Sequence, residues 1–173
     1  DRFTYWPVRI DQGGEVLAPG KPSDMTQYID VRDLARFMVH CLEQGLVDTY
    51  NVVRNPMPFG DLLSACVSTI ESDAELTWVP ADFLAGHDIQ AWRDVPAWAD
   101  SDSALAGSLT WRADKALSAG LTISPIEDTI RDTLAWFRSL PEERQAELRA
   151  GMSRDRETSV LEAWHSSRQA QGN

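Results

Sequence analysis

Asp30, Arg32 and Asp33 crowd into four residues of the stretch 26–45, TQYIDVRDLARFMVHCLEQG. Two carboxylates flanking a guanidinium could meet a ligand at the crevice beyond the strand ends, the usual ligand position in an open α/β sheet. They could equally serve the backbone. Asp30 is placed to cap a helix, Asp33 falls in its first turn where a carboxylate suits the helix N-terminus, and Arg32 can pair with either. That capping geometry needs nothing else.

Two further groups carry chemistry. Trp6 and Arg9, about one helical turn apart, could line a pocket for an apolar, partly anionic substrate. The alternative is core packing for Trp6 and a solvated Arg9. Trp92, Arg93 and Trp98, in the run QAWRDVPAW, could wall a substrate pocket or form a lid over it. The alternative is a cluster that anchors its own loop. Other chemistries have no motif. His40, His87 and His165 do not stand in metal-binding spacing, so no metal is expected, and no serine sits in a G-x-S-x-G elbow. Cys41 and Cys66 fall on apolar helix faces and read as buried, reduced thiols.

The elements that must position these residues follow from pattern. Residues 1–14 read as a short helix with Phe3, Trp6 and Ile10 on one face, ended by Gly13-Gly14. A strand is expected over 15–18 and a turn-rich loop over 19–24. Then comes a βαβ unit. Gln27-Tyr28-Ile29 is β-rich. The helix after Asp30 buries Leu34, Phe37, Met38, Cys41 and Leu42, at spacings i, i+3, i+4, i+7 and i+8, and Gly45 closes it. Residues 48–53 form the return strand. A helix over 60–71 with Leu62, Leu63, Cys66, Val67 and Ile70 inward precedes a strand over 75–79. Residues 80–109 are the least regular part. A strand is expected over 109–111 and a short helix over 113–119. A further helix begins at Ser124-Pro125-Ile126-Glu127 with Ser124 as cap, Pro125 in first position and Glu127 completing a capping box. Its buried stripe is Ile126, Ile130, Leu134 and Phe137. Two charged helices, about 141–150 and 154–167, form a solvated C-terminal extension. Leu148, Met152, Val160, Leu161 and Trp164 could dock it back or against another subunit. The last residues are expected to fray.

The string Y-I-D-V-R-D-L-A, followed by a helix and then T-Y-N-V-V, resembles the second half of an extended short-chain dehydrogenase/reductase of the NAD-dependent epimerase/dehydratase family. The helix over 60–71, the run W-R-A-D-K-A-L-S-A-G-L at 111–121 and the helix opening at Ser124 follow in the order of that family. The likeness covers about residues 1–140. It implies an α/β fold, the C-terminal portion of a Rossmann-like enzyme, with short strands, helices and a helical tail over 141–173. No glycine-rich dinucleotide fingerprint and no Tyr-x-x-x-Lys pair occur in the chain. The resemblance therefore implies that the dinucleotide-binding half lies before Asp1 and that this chain holds no catalytic residue. NAD or NADP would be bound mainly by that missing N-terminal Rossmann half. Candidate substrate-binding residues are Trp6, Arg9, Asp30, Arg32, Trp92 and Trp98. In relatives that handle nucleotide sugars, a cation stands where this chain has Thr26-Gln27, which weighs against such a substrate. The parent would be a reductase, epimerase or dehydratase acting on a small carbonyl or alcohol compound. The alternative is a non-catalytic dinucleotide-sensing or protein-interaction member of the same fold.

Composition bounds the partners. The chain has 173 residues with 43% hydrophobic and 25% charged residues, in the range of a single globular domain. A net charge of −11 argues against binding nucleic acid or an anionic membrane surface. No apolar run approaches the roughly 20 residues a membrane span needs, and no signal-peptide pattern is present. A cytoplasmic protein that binds a small-molecule substrate, and that could form a homo-oligomer, is the expectation.

Overall fold

The computed structural model describes residues 2–171. Asp1 of the first expected helix and Gly172-Asn173 of the tail lie outside the described residues. The fold is α/β, with helix outweighing strand. A two-stranded parallel sheet pairs β1, Glu15–Pro19, with β4, Glu75–Val79, in register from Glu15 opposite Glu75 to Pro19 opposite Val79. Both strands stand where sequence pattern expects them. Val16, Leu17 and Ala18 of β1 are buried, which matches a parallel strand covered on both faces. Around this pair pack α1, Tyr5–Asp11, and α3, Phe59–Ile70. Next to them lies α6, Ile126–Arg138, which buries the expected stripe of Ile126, Ile130, Leu134 and Phe137. Gly60 lets α3 approach the loop after β1. Its N–H donates to the Pro22 carbonyl at 2.9 Å, and a Cβ there would stand 2.9 Å from Pro22 Cβ.

The expected βαβ unit forms only its helix. Helix α2, Val31–Gln44, starts at the Asp30 cap and ends at Gly45 in the left-handed region. Neither flanking run is a strand. Residues 27–29 follow a two-residue strand β2, Met25–Thr26, which pairs antiparallel with β3, Met57–Pro58. Residues 48–53 form no ladder. The N–H groups of Tyr50, Asn51, Val52 and Val53 find no hydrogen-bond partner among the described residues, and just beyond the run Arg54 donates its N–H to the Tyr28 carbonyl at 2.9 Å. β-propensity alone does not make a strand where no neighbouring edge is in reach.

The apolar face of α2 is covered only in part. Phe37 is buried and forms a small cluster with Ala116 and Leu121. Met38 and Leu42, expected inward, are 59% and 83% exposed. Val31 at 72% and Val47 at 97% extend the bare stripe.

The tail takes one of the courses open to it in the sequence and docks back on the chain through Val160, Leu161 and Trp164. After α7, Glu142–Ala146, helix α8, Arg154–Gln171, docks on the main core. Val160 and Leu161 are buried there with Leu17 and Phe59, and Trp164 packs edge-on to Phe83 at 4.9 Å. The tail is no separate solvated extension. Its fastening is Glu157, fully buried, whose Oε2 lies 2.5 Å from Arg9 Nε and whose Oε1 accepts from the Leu17 N–H at 2.9 Å. Residues 106–109 form a 3-10 turn rather than leading into a strand at 109–111. The backbone of Trp111 is satisfied by a side chain instead: Gln27 Oε1 accepts its N–H at 3.0 Å, and Gln27 Nε2 donates to its carbonyl at 2.6 Å. A short helix α5, Asp114–Ser118, follows.

Two outcomes test this packing. Removing the carboxylate in Glu157→Ala leaves Arg9 buried and unpaired, and should lower stability by about 3–5 kcal/mol in urea unfolding. Burial pushes the Cys66 thiol up to about 12, while Cys41 is only half-buried. A thiol reagent should therefore label Cys41 in the native protein and reach Cys66 only on unfolding.

Candidate functional site

Asp30 and Arg32 come together on the wall of a surface cleft of about 640 Å³. Asp30 is the N-cap of α2. Its Oδ1 accepts the Arg32 N–H at 2.8 Å, as the sequence predicts. The same carboxylate does more. Arg32 Nε donates to Oδ1 at 2.9 Å and Arg32 Nη2 to Oδ2 at 2.6 Å, a two-pronged ion pair. Thr129 of α6 adds its hydroxyl to Oδ2 at 2.9 Å. Arg32 Nη1 reaches Asp132, also on α6. The Arg32 guanidinium, helped by its backbone N–H and by Thr129, holds the Asp30 carboxyl far below the usual carboxylate range.

The cleft is lined further by Phe3, Tyr28, Thr133 and Trp136. Phe3 and Tyr28 rings stand 4.7 Å apart, and Arg54 donates to the Tyr28 hydroxyl at 3.1 Å. Two carboxylates surround one guanidinium, so the polar end carries no cation to spare for a diphosphate. Asp30, held ionised far below its usual range, is a weak base, and Arg32 stays protonated, so neither of these two is suited to proton transfer. What the cleft can do is bind a small molecule with one apolar flank and orient its hydroxyl or carbonyl groups.

Asp33 does not face this cleft. It is buried, its Oδ2 accepts the Ser124 N–H at 2.8 Å, and its Oδ1 accepts the Ser124 hydroxyl at 2.7 Å. This explains why Ser124 does not cap α6, whose N-cap position is Pro125 with no side-chain bond. The capping-box expectation for Ser124 is corrected accordingly: its hydroxyl is committed to α2.

The remaining candidates lie elsewhere. Trp6 is fully buried, donates Nε1–H to the Pro96 carbonyl at 2.7 Å, and packs edge-on against Phe59 at 5.2 Å. Arg9 is buried, not solvated. All of its donor nitrogens are engaged, with Glu157, the Gly13 carbonyl and the Glu15 carbonyl. Trp92 and Trp98 do not share a pocket. Trp98 is buried and donates Nε1–H to Asp24 Oδ2 at 2.9 Å. Trp92, at φ +66°, sits half-buried near the Arg2 guanidinium, 5.8 Å from its ring. Arg93 pairs with Asp94 at 2.7 Å. Thr26 and Gln27 are internal tethers: the Thr26 hydroxyl donates to the Ala97 carbonyl at 2.7 Å and Gln27 Nε2 to the Arg54 carbonyl at 2.8 Å.

Sequence reasoning missed the α6 wall. Thr129, Asp132, Thr133 and Trp136 follow the spacing i, i+3, i+4, i+7, a second helical face beside the buried stripe. That signal stood in the sequence. No dinucleotide cradle forms among the described residues either. β1 runs at Pro19 into a loop, and β4 meets the six-residue helix α4, Ala81–Gly86, through Pro80, so no glycine-rich turn joins a strand to a helix N-terminus. Among the described residues no group of acidic, histidine or cysteine side chains is placed to hold a metal ion, and no helix is long and apolar enough to cross a membrane.

The Asp30 pairing sets an acid response. Its carboxyl titrates below its ordinary 3.8 in the folded state. The stability it contributes is thus complete above that value and is lost as pH falls below it. Asp30→Asn should flatten the acid limb of the stability profile, and should lower neutral-pH stability by about 2 kcal/mol, the worth of a hydrogen bond to a charged group. Thermal unfolding between neutral pH and the acid limb reads both effects.

No protein-family model matches this chain, and no curated protein matches it significantly.

Proposed function

We propose that this chain is the substrate-binding lobe of an NAD(P)-dependent oxidoreductase, a reductase, epimerase or dehydratase acting on a small carbonyl or alcohol compound. One observation carries the reading: a cleft lined by Phe3, Tyr28, Thr133 and Trp136 beside the Asp30–Arg32 pair, which can hold and orient such a molecule. In this reading the other half of the protein supplies the cofactor and the acid–base pair. NAD or NADP would be bound mainly by that other half. The saturated Arg32 favours a neutral substrate over a nucleotide sugar.

The uncovered stripe of α2 and the unladdered run 48–53 favour a second reading. They suit a protein-interaction member of the same fold, in which the exposed elements meet a partner and no turnover occurs.

Turnover separates the two. A reductase parent that carries this chain should oxidise NADH or NADPH in the presence of a panel of small aldehydes and ketones, whereas an epimerase or dehydratase, which returns its hydride, should convert a hydroxylated substrate with no net change in NADH or NADPH. In that protein Trp136→Ala should raise KM roughly tenfold with kcat changed little, since it removes binding that substrate and transition state share. Nucleotide binding without turnover of any carbonyl compound would favour the sensing or interaction reading. Neither binding nor turnover would end the oxidoreductase proposal.

A further inference from the structure

Strand β4 has one partner, and its residues turn alternately toward it and away from it. Glu75 donates its N–H to the Gly14 carbonyl, and Val79 accepts from the Gly20 N–H. Glu75, Thr77 and Val79 therefore face β1. The N–H and C=O groups of Leu76 and Trp78 point out of the opposite edge, where no other element of the described residues bonds to them. The outer edge of β1 is tied off instead: the Leu17 N–H donates to Glu157, and the Glu15 carbonyl accepts from Arg9.

A groove of about 620 Å³ lies along the open edge. Leu76, Thr77 and Trp78 line it from β4, and Trp164, His165 and Arg168 line it from α8. The helix is pinned beside the strand here. His165 Nε2 lies 2.7 Å from Glu15 Oε1, which also accepts the Thr77 hydroxyl at 2.5 Å. That carboxylate is spent within the protein. Arg168 is not: its guanidinium lies 5.8 Å from the Trp164 ring centroid and makes no ion pair among the described residues. On a chain of net charge −11, this groove is lined by an unpaired cation and by no carboxylate.

Two features specify the occupant. Outward N–H and C=O groups at alternate residues of a strand are met by another extended backbone, which sets acceptor against donor and donor against acceptor at the same spacing. Arg168, beside the apolar surfaces of Trp78 and Trp164, complements a segment that carries an acidic and an apolar side chain. A second copy of the chain would bring another eleven negative charges to the contact, so a short segment suits the groove better than self-association.

We infer that the groove between β4 and α8 binds an extended peptide segment of a partner protein, which adds as a strand to the β4 edge, rests an apolar side chain against Trp78 and Trp164 and sets an acidic one opposite Arg168. The site shares no residue with the Asp30–Arg32 cleft or with the α2 stripe, and the inference does not depend on the oxidoreductase proposal.

A fluorescein-labelled hexapeptide, TVFVDT, tests it by fluorescence anisotropy. Added to the intact chain, it should give a saturable rise. Methylating alternate backbone nitrogens of the peptide blocks one of its edges or the other, so one methylation pattern should abolish binding and the other should leave it. The peptide TVFVKT should bind about threefold more weakly, and Arg168→Glu should reverse that order. Leu76→Pro removes an outward N–H without touching the ladder to β1, and should weaken TVFVDT by about tenfold. Arg168→Glu lies on an exposed helix surface, so the charge reversal is read whether or not the strand variant folds. Absence of saturable binding, equal effects of the two methylation patterns, or an unchanged order of the two peptides in Arg168→Glu would each overturn the inference. So would a dimer of the chain that Leu76→Pro dissociates, since a second copy would then occupy the edge.

Discussion

The Arg9–Glu157 ion pair is the constraint on which the rest of the structure depends. It joins residues 148 positions apart in a place where both side chains are almost wholly buried. Burial works against the charge on Glu157 and pushes its carboxyl upward. Such a pair persists only when every donor and acceptor is used. Arg9 divides its donors among Glu157 and two backbone carbonyls, and Glu157 gives its second oxygen to the backbone of Leu17. One pair therefore sets the angle of α1, the position of β1 and the docking of α8 together. Pairing of that kind specifies an arrangement more than it adds net stability.

The D-x-R-D stretch shows how few residues can serve two ends. Asp30 caps a helix and, through Arg32 and Thr129, ties that helix to α6. Asp33 repeats the tie one turn on through Ser124. The cleft between α2 and α6 inherits its shape from these bonds, so its polar wall is rigid before any ligand arrives. Preorganisation of this sort favours orientation of a bound molecule.

Local signals read well from sequence where the physics is local. The Asp30 cap, the Gly45 stop, the positions of strands β1 and β4, though not their pairing, and the buried stripe of α6 were all legible, because capping chemistry and hydrophobic period act within a few residues. Tertiary choices were not. Gln27 replaces a strand at Trp111 with its amide, and Ser124 abandons its cap for a carboxylate 91 positions away. Arg9, which reads as a surface residue, finds a buried acid in a tail that composition marks as solvated. Within the candidate site, Asp30 and Arg32 were visible while Thr129, Asp132 and Trp136 were not, since attention to the apolar period of α6 hid its second face. Trp6 and Trp98 carried the composition of a pocket wall and became core.

The bare stripe on α2 has a consequence for how the chain behaves in bulk. Val31, Met38 and Leu42, with Val47 just past the helix, are large apolar side chains exposed on a molecule whose net charge is −11. Mutual repulsion keeps such molecules apart at neutral pH and low salt. Near the isoelectric point of about 4.6 that repulsion vanishes, and added salt screens it at any pH. Colloidal stability is then governed by the stripe.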